Sequence, residues 1–225
     1  MAKEQKPLVL VCGSPRGSSS NTHILLESLK NGLTRAKRES VTYYIQISSE
    51  RAKLLDSFND YDNFLWAFPM YTDAMPGTVK AFWEDLTDTY KNMKGKRFFF
   101  LVQMGFPEAS QASMLVSYLK WFTRHVGAFY GGTVVRGGVE GIQIQPMWMK
   151  KKLLGNLEQL GYNLGTHGKL DETLCAEIAK PYKLKKWIRV LLTFLSHIGL
   201  LNMYWNKQLN ENEAFNKRFE KPYLH

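Results

Sequence analysis

Gly13-Ser14-Pro15-Arg16-Gly17-Ser18-Ser19-Ser20-Asn21-Thr22 is the stretch of sequence that decides the fold. It follows an apolar run, residues 8–12, that is typical of a buried strand, and it continues into a segment with helical periodicity. A strand, a loop of small residues and a helix in this order form an anion site, because the first N–H groups of a helix have no partner within it and the helix dipole adds positive charge. Hydroxyl groups and an arginine, which can grip a phosphate through two hydrogen bonds, add further donors. The stretch therefore predicts a phosphate monoester site at the carboxyl edge of a parallel sheet.

The same residues allow a simpler interpretation of this loop. The stretch is neither G-x-G-x-x-G nor G-x-x-x-x-G-K-[ST], so the dinucleotide and nucleoside triphosphate sites that rest on those loops are not indicated. An ordinary turn of serine and glycine, with Ser20 or Asn21 as the N-cap of the following helix, uses the same groups that would bind a phosphate. Both interpretations stay open at this point.

The composition indicates one domain with a full hydrophobic core. The chain has 225 residues, of which 44% are hydrophobic, and one core can serve this length. It has two cysteines and no C-x-x-C or Cys/His cluster, so neither a disulfide framework nor a metal site is expected. The net charge of +10 would attract anions, but no nucleic-acid-binding module accompanies it, so we expect no nucleic acid partner. The polar N-terminus lacks the pattern of a signal peptide, which makes the cytoplasm the expected location.

Strand and helix patterns alternate along the first two thirds of the chain. Strands are predicted at residues 8–13, 41–47, 63–68, 96–103 and 129–135. Helices are predicted at residues 21–36, 76–93, 110–126 and 148–160, with a short helix or loop at 50–58. This alternation predicts an α/β fold with a doubly wound, five-stranded parallel sheet. A phosphate bound after the first strand suits the strand order 2-1-3-4-5, in which the ligand lies where the order reverses.

The last part of the chain exceeds what that sheet needs. Residues 1–162 are expected to form the sheet domain, and residues 163–225 a helical C-terminal extension with a first short helix at 171–179. A second helix has an apolar stripe that consists of Leu184, Trp187, Ile188, Leu191, Leu192, Leu195 and Ile198. Packing of this stripe on the domain or on a partner subunit is the favoured interpretation. Contact with a membrane surface is the less favoured alternative, and a span is disfavoured because the helix is not apolar all round.

Two further loops should lie at the same edge of the sheet as the phosphate loop. The loop after the third strand, residues 69–77, is apolar and contains Tyr71. The loop after the fourth strand, residues 103–108, contains Gly105, which lets the backbone come close to a ligand. One loop would hold a phosphate, and the other two would form walls for a flat ring. Together they predict a pocket for flavin mononucleotide (FMN).

These residues also carry a resemblance to a known family. Gly-Ser-Pro-Arg…Ser-Asn-Thr after the first strand and Pro-Met-Tyr…Met-Pro-Gly-Thr-Val-Lys-Ala-Phe-Trp after the third resemble the NADPH-dependent FMN reductase and NAD(P)H:quinone oxidoreductase group of flavodoxin-like proteins, over roughly residues 7–160. The C-terminal region resembles that of the longer, uncharacterised members of the group. The resemblance implies a flavodoxin-like fold, NADPH or NADH as the electron donor, and homodimers with the flavin near the subunit interface. It also implies which residues bind FMN: Ser14, Arg16, Ser20, Asn21 and Thr22 at the phosphate, Pro69, Met70, Tyr71 and Thr72 along the isoalloxazine ring, and Gly105 on its other side.

The expected function is that of an FMN-dependent NAD(P)H oxidoreductase. Hydride would pass to flavin N5 and then, in a ping-pong cycle, to a small aromatic acceptor: a quinone, a nitro- or azo-aromatic compound, or free flavin. Because the cofactor supplies the chemistry, no side chain is assigned a catalytic role. Two alternatives stay open. One is a non-catalytic flavin-binding carrier or regulatory module that docks through the basic C-terminal helix, and the other is a fold that has lost its cofactor.

Overall fold

A computed structural model of the chain describes residues 6–197, 199 and 202–221. One parallel sheet is formed by β1 (Leu8–Cys12), β2 (Ser40–Tyr44), β3 (Asn63–Pro69), β4 (Arg97–Gln103) and β5 (Phe129–Arg136). The strand order is β2-β1-β3-β4-β5, and each neighbouring pair is parallel. The predicted doubly wound sheet and its order 2-1-3-4-5 are confirmed.

Helices follow the strands in alternation, as the sequence pattern predicts. The helices of the sheet region are α1 (Asn21–Arg35), α2 (Ser48–Asp56), α3 (Gly77–Thr89), α4 (Ser113–His125), α5 (Met147–His167) and α6 (Glu172–Ile178). They cover both faces of the sheet. Alternate side chains of β1 therefore enter different cores: Val9 and Val11 pack with α3 and α4, whereas Leu8 and Leu10 pack with α1 and α5. Burial on both faces explains why β1, β3 and β4 are apolar almost throughout.

Helices α1 and α5 pack with their backbones in close contact. A Cβ atom added to Gly161 would lie 1.9 Å from the carbonyl oxygen of Leu29, and one added to Gly32 would lie 1.8 Å from the carbonyl oxygen of Glu158. At the end of α1, Arg35 Nη1 donates to Glu158 Oε1 at 2.7 Å. The packing against α5 holds α1 in position, and the predicted phosphate loop leads directly into the first turn of α1.

The C-terminal ends of α5 and α3 differ most from the sequence-based expectation. α5 reaches His167 instead of ending near Leu160, because the helical repeat of buried leucines continues to Leu164. It stops at Gly168, which has a left-handed conformation with φ of 67°, the usual helix C-terminal signal. α5 therefore runs through position 162, where the sequence pattern places the end of the domain. α3 ends early, at Thr89, because the chain turns so that the N–H of Met93 can donate to the carbonyl of Val126 at 2.8 Å.

The chain divides into two compact units, with the boundary between Lys183 and Leu184. The second unit contains α7 (Lys186–His197) and α8 (Met203–Glu211), followed by a short 3₁₀ turn, Phe215–Lys217. Ile198, which the sequence assigns to the apolar stripe of α7, lies outside the described residues. Within the described ranges, none of the helices combines the length and the apolar character that a bilayer crossing requires.

Candidate functional site

The three predicted loops meet at the carboxyl edge of the sheet. They follow β1, β3 and β4, which are neighbours in the sheet. The first loop bonds to β3, since the N–H of Gly13 donates to the carbonyl of Ala67 at 2.7 Å. The second bonds to β4, since the N–H of Met70 donates to the carbonyl of Gln103 at 2.7 Å. The topology thus brings the candidate phosphate loop and the candidate ring loops together.

Ser20 is the N-cap of α1. Its Oγ accepts from the N–H of His23 at 3.1 Å and donates to the carbonyl of Gly17 at 2.5 Å. The second bond requires the chain to curl back through a 3₁₀ turn, Gly17–Ser19, in which Gly17 has a φ of 54° that favours glycine. The capping interpretation of this serine is therefore realised in the structure. A phosphate would meet the N–H groups that Ser20 leaves uncapped at the start of α1.

Asn21 and Thr22 are buried and tie the first loop to its neighbours. Asn21 Nδ2 donates to the carbonyl of Val139 at 3.0 Å. Thr22 Oγ1 accepts from Gln103 Nε2 at 3.1 Å and so keeps its own hydroxyl proton for another acceptor. Both side chains thus have a structural role, and the Thr22 hydroxyl also remains a suitable phosphate donor.

Ser14 and Arg16 complete the set of donors in the first loop. The Ser14 side chain is buried, and its Oγ accepts a long bond of 3.4 Å from the N–H of Arg16. The guanidinium of Arg16 is exposed, and it makes no hydrogen bond or ion pair within the described part of the chain. An unengaged guanidinium, two hydroxyls and the N–H groups of a helix N-terminus form a donor set that fits a phosphate.

The loop after β3 contains a tight turn with unusual backbone geometry. Tyr71 and Ala74 exchange two backbone hydrogen bonds, of 2.8 and 3.0 Å. The residues between them, Thr72 and Asp73, have φ values of 47° and 63°, so both are left-handed, as a type I′ turn requires. Such values at non-glycine residues cost about 1–3 kcal/mol each and are concentrated at functional sites. The turn belongs to the candidate site by its position after β3, and its two hydrogen bonds hold this backbone conformation.

The four residues assigned to the ring do not have equivalent positions. Pro69 and Met70 are buried, and Met70 belongs to the hydrophobic core beneath the loop. Tyr71 is 49% exposed, and Thr72 is also exposed. Only Tyr71 and Thr72 therefore present side chains at the edge of the sheet, whereas Pro69 and Met70 support the loop from below.

A fourth loop, residues 137–146 after β5, also belongs to the site. Gln143 Nε2 donates to the carbonyl of Ser19 at 2.7 Å, and Val139 receives the bond from Asn21. A Cβ atom on Gly105 would lie 3.6 Å from Glu140 Oε2, so this loop also borders the predicted ring wall. The sequence reasoning missed the loop. The pair Gly137-Gly138, directly after the last strand, was the available signal for a close backbone approach.

Two glutamines were also missed. Gln103, the polar last residue of the apolar strand β4, positions Thr22. Gln46, just after β2, lies against the first loop, since a Cβ atom on Gly17 would lie 2.0 Å from Gln46 Nε2. The Gln46 Oε1 atom is buried without a hydrogen-bond partner among the described residues. Both glutamines therefore lie against the first loop and help to fix its shape.

At this edge of the sheet, the titratable groups whose pKa values are shifted have structural roles. Burial raises the pKa of the Cys12 thiol, at the end of β1, and disfavours a reactive thiolate there. Burial also lowers the pKa of Arg136, whose Nη1 donates to the carbonyls of Ile178 and Lys180 at 3.1 and 2.7 Å. Within the described ranges, no cluster of His, Cys, Asp and Glu could hold a metal ion.

A cleft of about 400 Å³ lies at the opposite, amino edge of the sheet. Its buried Lys96 donates to the carbonyls of Phe58 and Asn59 at 3.3 and 3.0 Å, and its Arg97 donates to that of Gly168 at 3.0 Å. Burial lowers the pKa of Lys96. Because the chain's own carbonyl groups engage these two cations, we place the candidate site at the carboxyl edge.

Comparisons with known proteins define the class of fold. No protein-family model and no curated protein matches the sequence. Solved structures match the three-dimensional arrangement, and at identities below 25% this likeness establishes the fold: the chain has a flavodoxin-like α/β fold.

Three of these structures show the range of similar proteins. An FMN-dependent NADH-azoreductase from Bacillus anthracis, in complex with FMN, has a TM-score of 0.56 and 11% identity, covering 72% of this chain and 100% of that one. An NAD(P)H:quinone oxidoreductase from Methanothermobacter marburgensis has a TM-score of 0.55 and 14% identity, with coverage of 71% and 96%. A Trp repressor binding protein from Bacillus subtilis has a TM-score of 0.52 and 15% identity, with coverage of 68% and 99%.

Proposed function

We propose that this protein is an FMN-dependent NAD(P)H oxidoreductase that reduces small aromatic acceptors. The observation that carries the proposal is the donor set around Arg16 at the N-terminus of α1, next to the strained turn after β3. The named activities of two proteins with the same fold, an azoreductase and a quinone oxidoreductase, support it. Quinones, nitro- or azo-aromatic compounds and free flavin are the acceptor classes that we include.

In this proposal, the first loop anchors the FMN phosphate. Arg16 would pair with the phosphate from the solvent side, where its guanidinium is exposed. Ser14, Thr22 and the first N–H groups of α1 would donate from the protein side, and Ser20 and Asn21 would hold the loop in shape. This arrangement would neutralise much of the phosphate charge.

The second and third loops would hold the ring. Tyr71 would cover one side of it, Gly105 would border the other, and the backbone of the turn at Thr72 would donate to its polar edge. Bound FMN would supply the hydride-transfer chemistry between NADH or NADPH and the acceptor. The chain would bind and orient the ring, and hydrogen-bond donors at the polar edge would favour its reduced, anionic form.

We extend the proposal to a homodimer, as the family resemblance implies. The outer face of α4 supports a dimer, because Met114, Tyr118 and Trp121 are exposed there on one side of the helix. Contiguous exposed apolar side chains are typical of protein interfaces. Sedimentation equilibrium of the wild type and of Trp121→Ser tests this part, and a monomeric wild-type protein would refute it.

An anaerobic absorbance titration tests the central proposal. The protein, reconstituted with FMN, would be titrated with NADPH and then NADH, followed by a quinone. We expect the oxidised-flavin absorbance to disappear within seconds and to return when the quinone is added. The donor that reacts faster identifies the preferred nicotinamide. Failure of the protein to bind FMN would overturn the proposal.

A non-catalytic flavin-binding module is the second candidate. The observation in its favour is the exposed basic surface of α7, which a carrier or regulatory protein could use for docking. FMN that binds tightly but is reduced by neither NADH nor NADPH would select this candidate.

A further inference from the structure

The segment that contains α7 has an unusual distribution of charge. Between positions 180 and 210 the chain has six lysine or arginine residues and no aspartate or glutamate. Three of these cations, Lys185, Lys186 and Arg189, lie at the start of α7 and are exposed. Because the segment contains no acidic residue, its positive charge is not neutralised locally.

A second, apolar surface lies on the same helix. Trp187, Val190, Leu191 and Phe194 are 63%, 69%, 45% and 60% exposed. Their spacing of three, four and seven residues puts them on one face, which we call the exposed stripe. Ile188, Leu192 and Leu195, which form the adjacent face, are half-buried, as is Leu184 just before the helix. None of the α7 residues is fully buried.

The aromatic and aliphatic side chains of the exposed stripe can contribute to stability only when another apolar surface removes them from water. A second copy of α7 is a poor occupant, because each copy would bring its own Lys186 and Arg189 to the rim of the contact and no acid of the segment could pair with them. A bilayer crossing does not fit either, since α7 has 12 residues, well short of the roughly 20 that a span needs.

A bilayer surface with anionic lipids fits both surfaces of α7. Helices that lie in the membrane interface have lysine and arginine on the polar face and tryptophan, phenylalanine or leucine on the other. The negative lipid headgroups would neutralise the three cations, and the exposed stripe would enter the boundary between headgroups and acyl chains. We propose that α7 is a membrane-surface anchor that binds anionic lipid bilayers through Lys185, Lys186, Arg189 and the exposed stripe.

Cosedimentation of the full chain with vesicles tests the proposal. We expect binding to phosphatidylcholine vesicles that contain about 30% phosphatidylglycerol, weak binding to phosphatidylcholine alone, and a loss of affinity as salt is raised from about 0.1 to 0.5 M. Equal binding to both kinds of vesicle, or binding to neither, would overturn the proposal.

Charge variants separate this helix from the general positive charge of the chain. Lys185→Gln, Lys186→Gln and Arg189→Gln together should weaken binding to the anionic vesicles about 100-fold, since each cation near the surface contributes about fivefold. The matched control removes three exposed lysines of the sheet unit, Lys37→Gln, Lys91→Gln and Lys94→Gln, and leaves the same net charge. An equal loss of binding in both triple variants would refute a specific role for α7.

Apolar variants test the exposed stripe. Val190→Ser with Phe194→Ser should weaken vesicle binding by about 100-fold, because both side chains would otherwise leave water on binding. Brominated lipids should quench the fluorescence of wild-type protein more than that of Trp187→Phe, although Trp187→Phe should still bind. Circular dichroism and the thermal midpoint of each variant should match the wild type, since the changed side chains are exposed. A wild-type dimer that dissociates in the Val190→Ser, Phe194→Ser protein, together with no vesicle binding, would show that a second copy covers the stripe instead.

Discussion

Replacing Arg16 with alanine should weaken FMN binding and leave the stability of the fold unchanged. The guanidinium is exposed and has no partner among the described residues, so its loss should change the free energy of unfolding by no more than about 0.5 kcal/mol. A hydrogen bond between a charged group and its partner contributes about 1.5–3 kcal/mol. FMN should therefore bind about 10- to 150-fold more weakly to Arg16→Ala, and solvent screening at this exposed position favours the lower half of that range.

Fluorescence titration of the apoprotein measures this change, and riboflavin supplies the internal control. Riboflavin has the same ring and ribityl chain as FMN but no phosphate, so its affinity should be the same for the wild type and for Arg16→Ala. Arg124→Ala, which removes an exposed arginine from the end of α4, is the matched control for net charge. Unchanged FMN affinity in Arg16→Ala would refute the phosphate assignment. An equal loss of riboflavin and FMN affinity would show that Arg16 acts on the ring or on the loop as a whole.

Three further predictions concern the scaffold of the site and the pH dependence of stability. Thr22→Val should destabilise the protein by about 1–3 kcal/mol in urea unfolding, because the amide of Gln103 would remain buried without its acceptor, and adding Gln103→Leu should recover part of the loss. Gly161→Ala should lower the free energy of unfolding by about 2 kcal/mol or more, because the new Cβ would force α1 and α5 apart. Gly155→Ala on the same helix, where a Cβ meets open space, should be neutral or stabilising. A similar effect of the two changes on the thermal midpoint would contradict the close contact of the helices. Hydrogen bonds from Lys152 and Lys180 lower the pKa of Glu177 to about 2. The ionised carboxylate therefore stabilises the fold above the ordinary pKa of a glutamate, and this contribution is lost as the pH falls toward about 2. The urea midpoints of the wild type and of Glu177→Gln should converge over that pH range, and a constant difference between them would refute the assignment.

The sheet and the edge that carries the site could be predicted because their signals are local in the sequence. Each apolar strand is followed by a helix pattern, and the small residues after β1 identify the edge where a phosphate could bind. The same local pattern places Tyr71 and Gly105 near that edge. These features need no knowledge of distant contacts, since a parallel sheet brings the ends of adjacent strands together.

The remaining features of the site depend on contacts between residues far apart in the sequence. The bond from Asn21 to Val139 joins positions 118 residues apart, and no periodicity in either segment announces it. Met70 has the same apolar character whether it faces a ligand or the core, so only the structure shows that it faces the core. In the sequence, Gly161 resembles a residue that ends a helix. In the structure, its missing side chain lets the backbones of α1 and α5 come close together, and α5 continues to His167.

The turn at Thr72 and Asp73 has a consequence for how this protein could be changed by selection. An Asn-Gly pair would adopt the same turn with less strain, so variants chosen only for resistance to heat should acquire glycine at position 73. Under the proposed function, variants chosen for oxidoreductase turnover should instead retain Thr72 and Asp73 with their left-handed backbone. Selection for thermal stability and selection for turnover should therefore favour different residues at this turn, and the residue found at position 73 after a long selection would show which property had been selected.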